Sequence, residues 1–114
     1  MFTQDHLQEL LSFSANGTPI VSMYLDTDCS QQQADTVKLQ VKGMLRELNG
    51  ANEQDAVVIE RFLDHSYDWT KPGLALFSCA SSEFFKAYPV GVTFRNRLRV
   101  GLKPYVKPLA HLLD

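Results

Sequence analysis

A chain of 114 residues, 45% apolar and 21% charged, has the size and composition of one globular domain. It holds no apolar run near the roughly 18 residues of a membrane span, and its start lacks the basic and apolar blocks of a signal peptide. We therefore expect a cytoplasmic domain that occupies residues 1–114.

The net charge of −2 is unevenly distributed along the chain. No acidic residue occurs between positions 86 and 113, whereas the same segment carries six basic ones: Lys86, Arg95, Arg97, Arg99, Lys103 and Lys107. Such an asymmetry favours an anionic partner for one face of the fold.

A short helix and a strand are predicted first. Thr3 suits the cap of a helix that runs to about residue 15, and Asn16-Gly17 supplies its stop. From Thr18 to Asp26, both sets of alternating residues are largely apolar. A strand with two apolar faces is typical of the middle of a sheet.

The next two segments predict a helical hairpin. The first helix carries an apolar stripe over positions 34 to 48, and the second extends from about 52 to 66. Their short connection predicts antiparallel packing. Tyr67 and Trp69 follow, and they either close the edge of the core or stack on a base; closing the core is the commoner role.

The last third of the chain predicts three strands and a short helix. A Pro72-Gly73 breaker opens an apolar strand over 72–79, which forms a hairpin with 83–90. Alternation from 94 to 100 predicts another strand, and 105–113 predicts a helix. The fold class is therefore α+β: a mostly antiparallel or mixed sheet of about four strands flanked by about four helices, an α/β sandwich.

The alternating strand is predicted to carry Arg95, Arg97 and Arg99 on one face, with Lys103 extending the row. Successive guanidiniums would stand about 6.5–7 Å apart, close to the phosphate repeat of a nucleic-acid strand. One interpretation is a stripe that contacts phosphates. The other is a charged edge strand that discourages pairing with a second sheet. The pattern favours neither.

Residue patterns for catalysis or cofactor binding are not found. His6, His65 and His111 lack metal-ligand spacing, and the chain has no glycine-rich phosphate loop. Ser78-Cys79 lies in a strand expected to be buried, without a nucleophile elbow around it. We predict no catalytic residue, metal or cofactor for this chain alone.

Two further pairs have structural interpretations. Cys29 and Cys79, 50 positions apart, are interpreted as small packing residues in a reducing compartment. Asp26 and Asp28 follow a strand and precede a helix. We expect them to favour the helix N-terminus electrostatically rather than to form a carboxylate pair for catalysis.

Three stretches, 17–25, 73–79 and 97–113, carry a family resemblance that covers essentially the whole chain. The sequence resembles the N-terminal domain of archaeal and eukaryotic class 1 peptide-chain release factors, and it is most similar to the bacterial and archaeal release-factor-like families. The resemblance implies a helix-flanked, mostly antiparallel sheet as the first of three domains. It implies the ribosome, RNA and the other domains of the same polypeptide as partners, rather than DNA or a membrane.

True release factors read the stop codon with motifs from which this chain departs. Their Asn-Ile-Lys-Ser loop corresponds here to the short junction 50–54. Of the Gly-Thr-Ser element, Gly17 and Thr18 remain and Pro19 replaces the serine. The positions of the Tyr-x-Cys-x-x-x-Phe motif are occupied by Leu98, Val100 and Pro104. Stop-codon reading is therefore not expected.

The resemblance thus implies a non-catalytic module of a release-factor-like protein that acts on ribosomes in rescue, hibernation or quality control. Its candidate RNA-binding residues are Arg95, Arg97, Arg99 and Lys103. Two alternatives stay open: a scaffold for protein contacts, and the accessory domain of an enzyme whose active site lies elsewhere in a longer chain. An apolar helix at the end of the sequence suggests such a longer, multidomain protein.

Overall fold

The computed structural model describes residues 2–15 and 17–113. Within them, four α-helices flank one four-stranded antiparallel sheet, which confirms the predicted α+β class. No helix of these segments is long and apolar enough to cross a membrane. The elements are α1 (Gln4–Ser12), β1 (Ile20–Asp26), α2 (Ala34–Leu45), α3 (Glu53–His65), β2 (Gly73–Cys79), β3 (Phe84–Val90), β4 (Arg97–Gly101) and α4 (Lys107–Ala110).

The strands are ordered β3-β2-β1-β4, and every neighbouring pair is antiparallel. β1 and β2 therefore occupy the centre of the sheet, as their two apolar faces predict. The outer strands are β3 and β4. Antiparallel β1 and β4 pair from Ile20 opposite Gly101 to Tyr24 opposite Arg97.

Helices cover both faces of the sheet because residues of the central strands alternate between two apolar clusters. On the hairpin face, α2 and α3 pack against Met23, Leu25 and Leu76. On the terminal face, α1 and α4 contribute Leu10 and Leu109 to a cluster that contains Tyr24, Phe77 and Tyr88. The sheet is thus the middle layer of a three-layer arrangement.

Local signals explain where several elements begin. The Thr3 side chain accepts a hydrogen bond from the His6 N–H at 3.2 Å, and the His6 ring accepts one from the Thr3 N–H at 3.1 Å, so α1 starts in a capping box. Gly73 opens β2 where the chain passes close to Val92, and a Cβ at this position would clash with the Val92 carbonyl.

Several elements are shorter than predicted. α1 ends at Ser12, and Ala15 packs beside Ile20 instead. β1 begins at Ile20, two residues after the predicted start. The first helix of the hairpin ends at Leu45, and the final predicted helix is a four-residue α4 continued by a 3-10 turn, His111–Leu113. The predicted stop of α1 at Asn16 lies outside the described residues.

A buried carboxylate joins the helical hairpin to the sheet. Asp55, in the first turn of α3, is 1% exposed. It accepts hydrogen bonds from the Ser78 hydroxyl, from the Ala80 N–H at 2.8 Å and from the Asn52 amide at 2.9 Å. Asn52 also donates to the Pro19 carbonyl at 3.0 Å. The start of α3 is thereby tied to the end of β2 and to the approach to β1.

We expect Asp55→Ala to lower the free energy of unfolding by about 3–5 kcal/mol, because it leaves three donors in or near the core without their acceptor. Urea unfolding followed by circular dichroism measures this loss. The matched control is Asp35→Ala, since Asp35 also lies in the first turn of a helix but is exposed. The control should lose at most about 1 kcal/mol. Equal losses in the two variants would contradict the structural role of Asp55.

Candidate nucleic-acid interface

Edge strand β4 presents two of the predicted arginines on the terminal face. Arg97 and Arg99 lie opposite Tyr24 and Ser22 of β1, and Leu98 between them packs on the hairpin face. Arg97 is half-buried, whereas Arg99 is exposed. Their alternation confirms the period-2 pattern of this segment.

The prediction that Arg95 continues the same row is wrong, because β4 begins at Arg97. The ladder ends there since the Asp26 N–H donates to the Asn96 side-chain oxygen at 2.8 Å. The chain leaves the sheet before this point, and the Phe94 ring turns onto Tyr24 with 5.0 Å between ring centres. Arg95 remains exposed in the preceding loop.

Tyr105 lies beside the two arginines and is held there through its backbone. Its N–H donates to the Ser22 hydroxyl at 2.9 Å, and its carbonyl accepts from the Tyr24 hydroxyl at 2.5 Å. Burial first, and the neighbouring Tyr105 second, raise the pKa of Tyr24, so this hydroxyl stays a donor at neutral pH. The Arg99 guanidinium carbon lies 4.9 Å from the Tyr105 ring centre, a cation–π contact.

A cavity of about 430 Å³, the basic cavity, opens between the loop before β4 and the segment that carries α4. Arg97, Lys107 and His111 supply its basic groups, and Phe94 and Tyr105 supply aromatic walls. No acidic residue is among the described residues that line it. The arrangement suits an anion attached to a flat or apolar group.

The positive charges at this site have no internal counter-ions in the described ranges. Lys86 pairs with Glu9 at 2.8 Å, which lowers the pKa of that carboxyl, and Lys38 pairs with Asp64 at 3.4 Å. Within residues 2–15 and 17–113 no carboxylate forms an ion pair with the remaining basic residues of the C-terminal segment: Arg95, Arg97, Arg99, Lys103 and Lys107.

The two residues that match the Gly-Thr-Ser element lie near the other end of β4. Gly17 and Thr18 precede the start of β1, which pairs with the end of β4. The Asn52–Pro19 hydrogen bond joins the loop 17–19 to the tip of the helical hairpin. Lys103 follows the end of β4 and is exposed. One end of the sheet thus carries Lys103 and these loops, whereas Arg97 and the basic cavity lie further along β1.

Tyr67 and Trp69 close the edge of the core, as predicted. Tyr67 is 8% exposed, and the half-buried Trp69 indole donates to the Leu63 carbonyl at 3.3 Å. The helical hairpin also forms a cavity of about 350 Å³. Its lining mixes lysines with carboxylates, such as Lys42 with Glu60, so it offers an anion no net attraction.

The structure corrects the predictions for one of the two cysteines and for the aspartate pair. Cys79 is buried as predicted, but Cys29 is exposed and does not pack in the core. Asp28 accepts hydrogen bonds from the Ser30 N–H and hydroxyl, which lower its pKa. The predicted electrostatic role at the helix N-terminus is wrong because α2 begins only at Ala34; the aspartates stabilise the turn after β1.

Among the described residues, the others that were considered for catalysis or metal binding are either buried in the core or separated from one another. Ser78 is fully buried and donates to Asp55. In the part of the chain that the structure describes, no three His, Cys, Asp or Glu side chains come together as a metal site.

Comparison of the chain with protein-family models and with curated proteins gives no match. By its fold and its surface, the protein is an α+β domain with a basic edge strand and an adjoining basic cavity. The role of Arg95, Arg97, Arg99 and Lys103 in RNA binding stays a prediction.

Four contributors to the site were not among the predicted site residues: Phe94, Tyr105, Lys107 and His111. The sequence indicates Lys107 as a candidate, because Lys107 lies in the basic segment that has no acidic residue. It does not indicate the two aromatic residues, because Tyr105 reaches the arginines only through hydrogen bonds to residues more than 80 positions away.

We expect Tyr24→Phe to destabilise the fold by about 1 kcal/mol, because the Tyr105 carbonyl loses its donor. Tyr88→Phe is the matched control, since Tyr88 is also buried, at 7% exposed against 0% for Tyr24. Burial and then Glu9 raise the pKa of Tyr88 to about 12, and its hydroxyl has no partner among the described residues. The control should be neutral or slightly stabilising. Urea unfolding distinguishes the variants, and a larger loss for Tyr88→Phe would refute the assignment of the Tyr24 bond.

Proposed function

We propose that this domain is the N-terminal, non-catalytic module of a release-factor-like protein that acts on ribosomes, and that it binds RNA through β4 without reading the codon. The observation that carries the RNA part is the grouping of Arg97, Arg99 and Lys107 around Tyr105, without an acidic residue among the described residues of the lining. This grouping gives one side of an otherwise acidic chain a local positive field.

The chemistry of the grouping favours phosphate. A guanidinium presents a planar fork that matches two phosphate oxygens, which a lysine ammonium does not. Arg97 and Arg99 are two residues apart on one strand, so their spacing is fixed by the backbone. Tyr105 steadies Arg99 through the cation–π contact, which reduces the side-chain entropy lost when a ligand binds.

Support for the release-factor-like part is the agreement between the element order and the fold that the resemblance implies, a mostly antiparallel sheet flanked by helices. Support for codon independence comes from the tip of the helical hairpin. This tip is a single 3-10 turn, Gly50–Asn52, without a basic residue. Its amide side chain, Asn52, is 5% exposed and already bonded to Asp55 and Pro19, so it is not available to a base.

We expect the double variant Arg97→Ala/Arg99→Ala to weaken binding to ribosomes or single-stranded RNA. The slope of log affinity against log salt should flatten by about one to two, since each neutralised phosphate contributes about 0.7–0.9. Fluorescence anisotropy over a salt series measures both quantities. The control is Lys42→Ala/Arg46→Ala, which removes two exposed charges of the α2 segment. The hypothesis fails if the arginine variant is folded and keeps the parent slope.

Binding to ribosomes is expected to be the same with a stop codon and with a sense codon in the decoding site, because the hairpin tip is a short turn without a basic residue and its Asn52 is bonded inside the fold. Cosedimentation with ribosomes programmed with either codon measures this. A clear preference for stop-codon ribosomes would show that codon reading had been wrongly excluded.

A further inference from the structure

The basic cavity differs from the rest of the basic surface because it is concave. Its volume of about 430 Å³ falls in the range of pockets that enclose small ligands. Thr93 and Phe94 border it on one side, and Lys107 and Pro108 border it on the other. Arg97, half-buried at the start of β4, belongs to the same lining.

The cavity has two kinds of wall. Arg97 supplies a fixed positive charge and Lys107 supplies a mobile one. No carboxylate of the described residues forms an ion pair with either side chain. Phe94, Tyr105 and Pro108 supply flat, largely apolar surfaces. A half-buried guanidinium without an internal counter-ion is poorly solvated, so an anion that enters gains more there than at an exposed arginine.

The walls are held in place by the strand beneath them. Tyr105 is fixed by its two backbone hydrogen bonds to β1, and the Phe94 ring packs edge-on against Tyr24. Tyr24 is also the β1 residue opposite Arg97. Tyr24 therefore contacts both aromatic walls, and the same strand, β1, places Arg97 beside them, so a ligand finds the site already formed.

We infer that the basic cavity takes one unpaired nucleotide of an RNA strand, with its phosphate on Arg97 and Lys107 and its base against the aromatic walls. The inference rests on the proposed function and narrows it to single-stranded RNA. A base enters a concave site only when it is out of its stack, whereas a duplex presents its phosphates on a convex surface. Arg99, outside the cavity lining, is placed to contact a neighbouring phosphate of the same strand.

The test separates the cavity from the surface charge. Thr93→Phe fills the entrance of the cavity from an exposed loop position and removes no charge. Arg99→Ala removes a charge outside the cavity. Both variants, with the parent chain, are titrated with a short labelled oligoadenylate, with the same strand in a duplex, and with free AMP, over a salt series. Circular dichroism and urea unfolding show whether each variant is folded.

If the inference holds, the parent chain prefers the single strand to the duplex, and Thr93→Phe weakens single-strand binding roughly 5- to 100-fold, the worth of one stacked base. Its salt slope flattens by about 0.7, because the phosphate held on Arg97 and Lys107 leaves with the nucleotide, and the preference for the single strand is reduced. Arg99→Ala also flattens the slope, but it keeps the preference for the single strand, and this preference distinguishes the two variants. If Thr93→Phe does not fold, Lys107→Ala at a second exposed lining position is the substitute: it should weaken single-strand binding and flatten the salt slope, because it removes a charge that holds the nucleotide's phosphate.

The failures are distinguishable. If RNA binds with the salt slope of several phosphates while Thr93→Phe has no effect, the nucleotide site is overturned and the RNA-binding function stands. If neither RNA form binds, both are overturned. If AMP binds the cavity and RNA does not, the cavity is a site for free nucleotides, and the assignment to an RNA strand is overturned together with the proposed function.

Discussion

One buried carboxylate determines how the helical hairpin sits on the sheet. Asp55 has three donors, from Ser78, Ala80 and Asn52, and almost no contact with water. A carboxyl group in the interior is unfavourable unless such hydrogen-bond partners are present. Only arrangements that bring the start of α3 to the end of β2 give the Asp55 carboxyl group all three of these hydrogen bonds. Apolar contacts alone, which lack direction, would tolerate small shifts of the hairpin along the sheet.

The same constraint reaches the tip of the helical hairpin and the loop before β1. Asn52 is shared between Asp55 and the Pro19 carbonyl, so the hairpin tip and the loop before β1 are held together. The Asn52 amide is thereby used inside the fold. The basic cavity lies on the terminal face, around Tyr105.

Much of the fold follows from short-range patterns. β1 and β2 are apolar at nearly every position, which predicts central strands, and the capping residue Thr3 locates the start of α1. These signals need only neighbouring residues, because strand alternation and helix capping are local. Boundaries were less predictable. The start of β4 depends on the Asn96 side chain replacing a strand partner, which no local pattern reveals.

The candidate site was predicted in part for the same reason. Arg97 and Arg99 follow from alternation along one strand. Asp55 and Tyr105 do not, because a carboxylate in a polar first turn normally faces water, and a tyrosine between two prolines has no periodicity. Both acquire their roles from partners that are distant in sequence, Asp55 from Ser78 and Tyr105 from Tyr24. Such contacts are set by the register of the sheet.

The position of β4 at the edge of the sheet also governs what a second copy of the domain would meet there. Antiparallel pairing of two β4 strands about a two-fold axis is symmetric, and the register that matches all five residues puts Arg99 opposite Arg99. A shift of one residue along each strand puts Arg97 opposite Arg99. Like charges directly opposite each other destabilise a strand pair. The charge of the arginines on β4 is therefore unfavourable to pairing of this open edge with a second copy of itself.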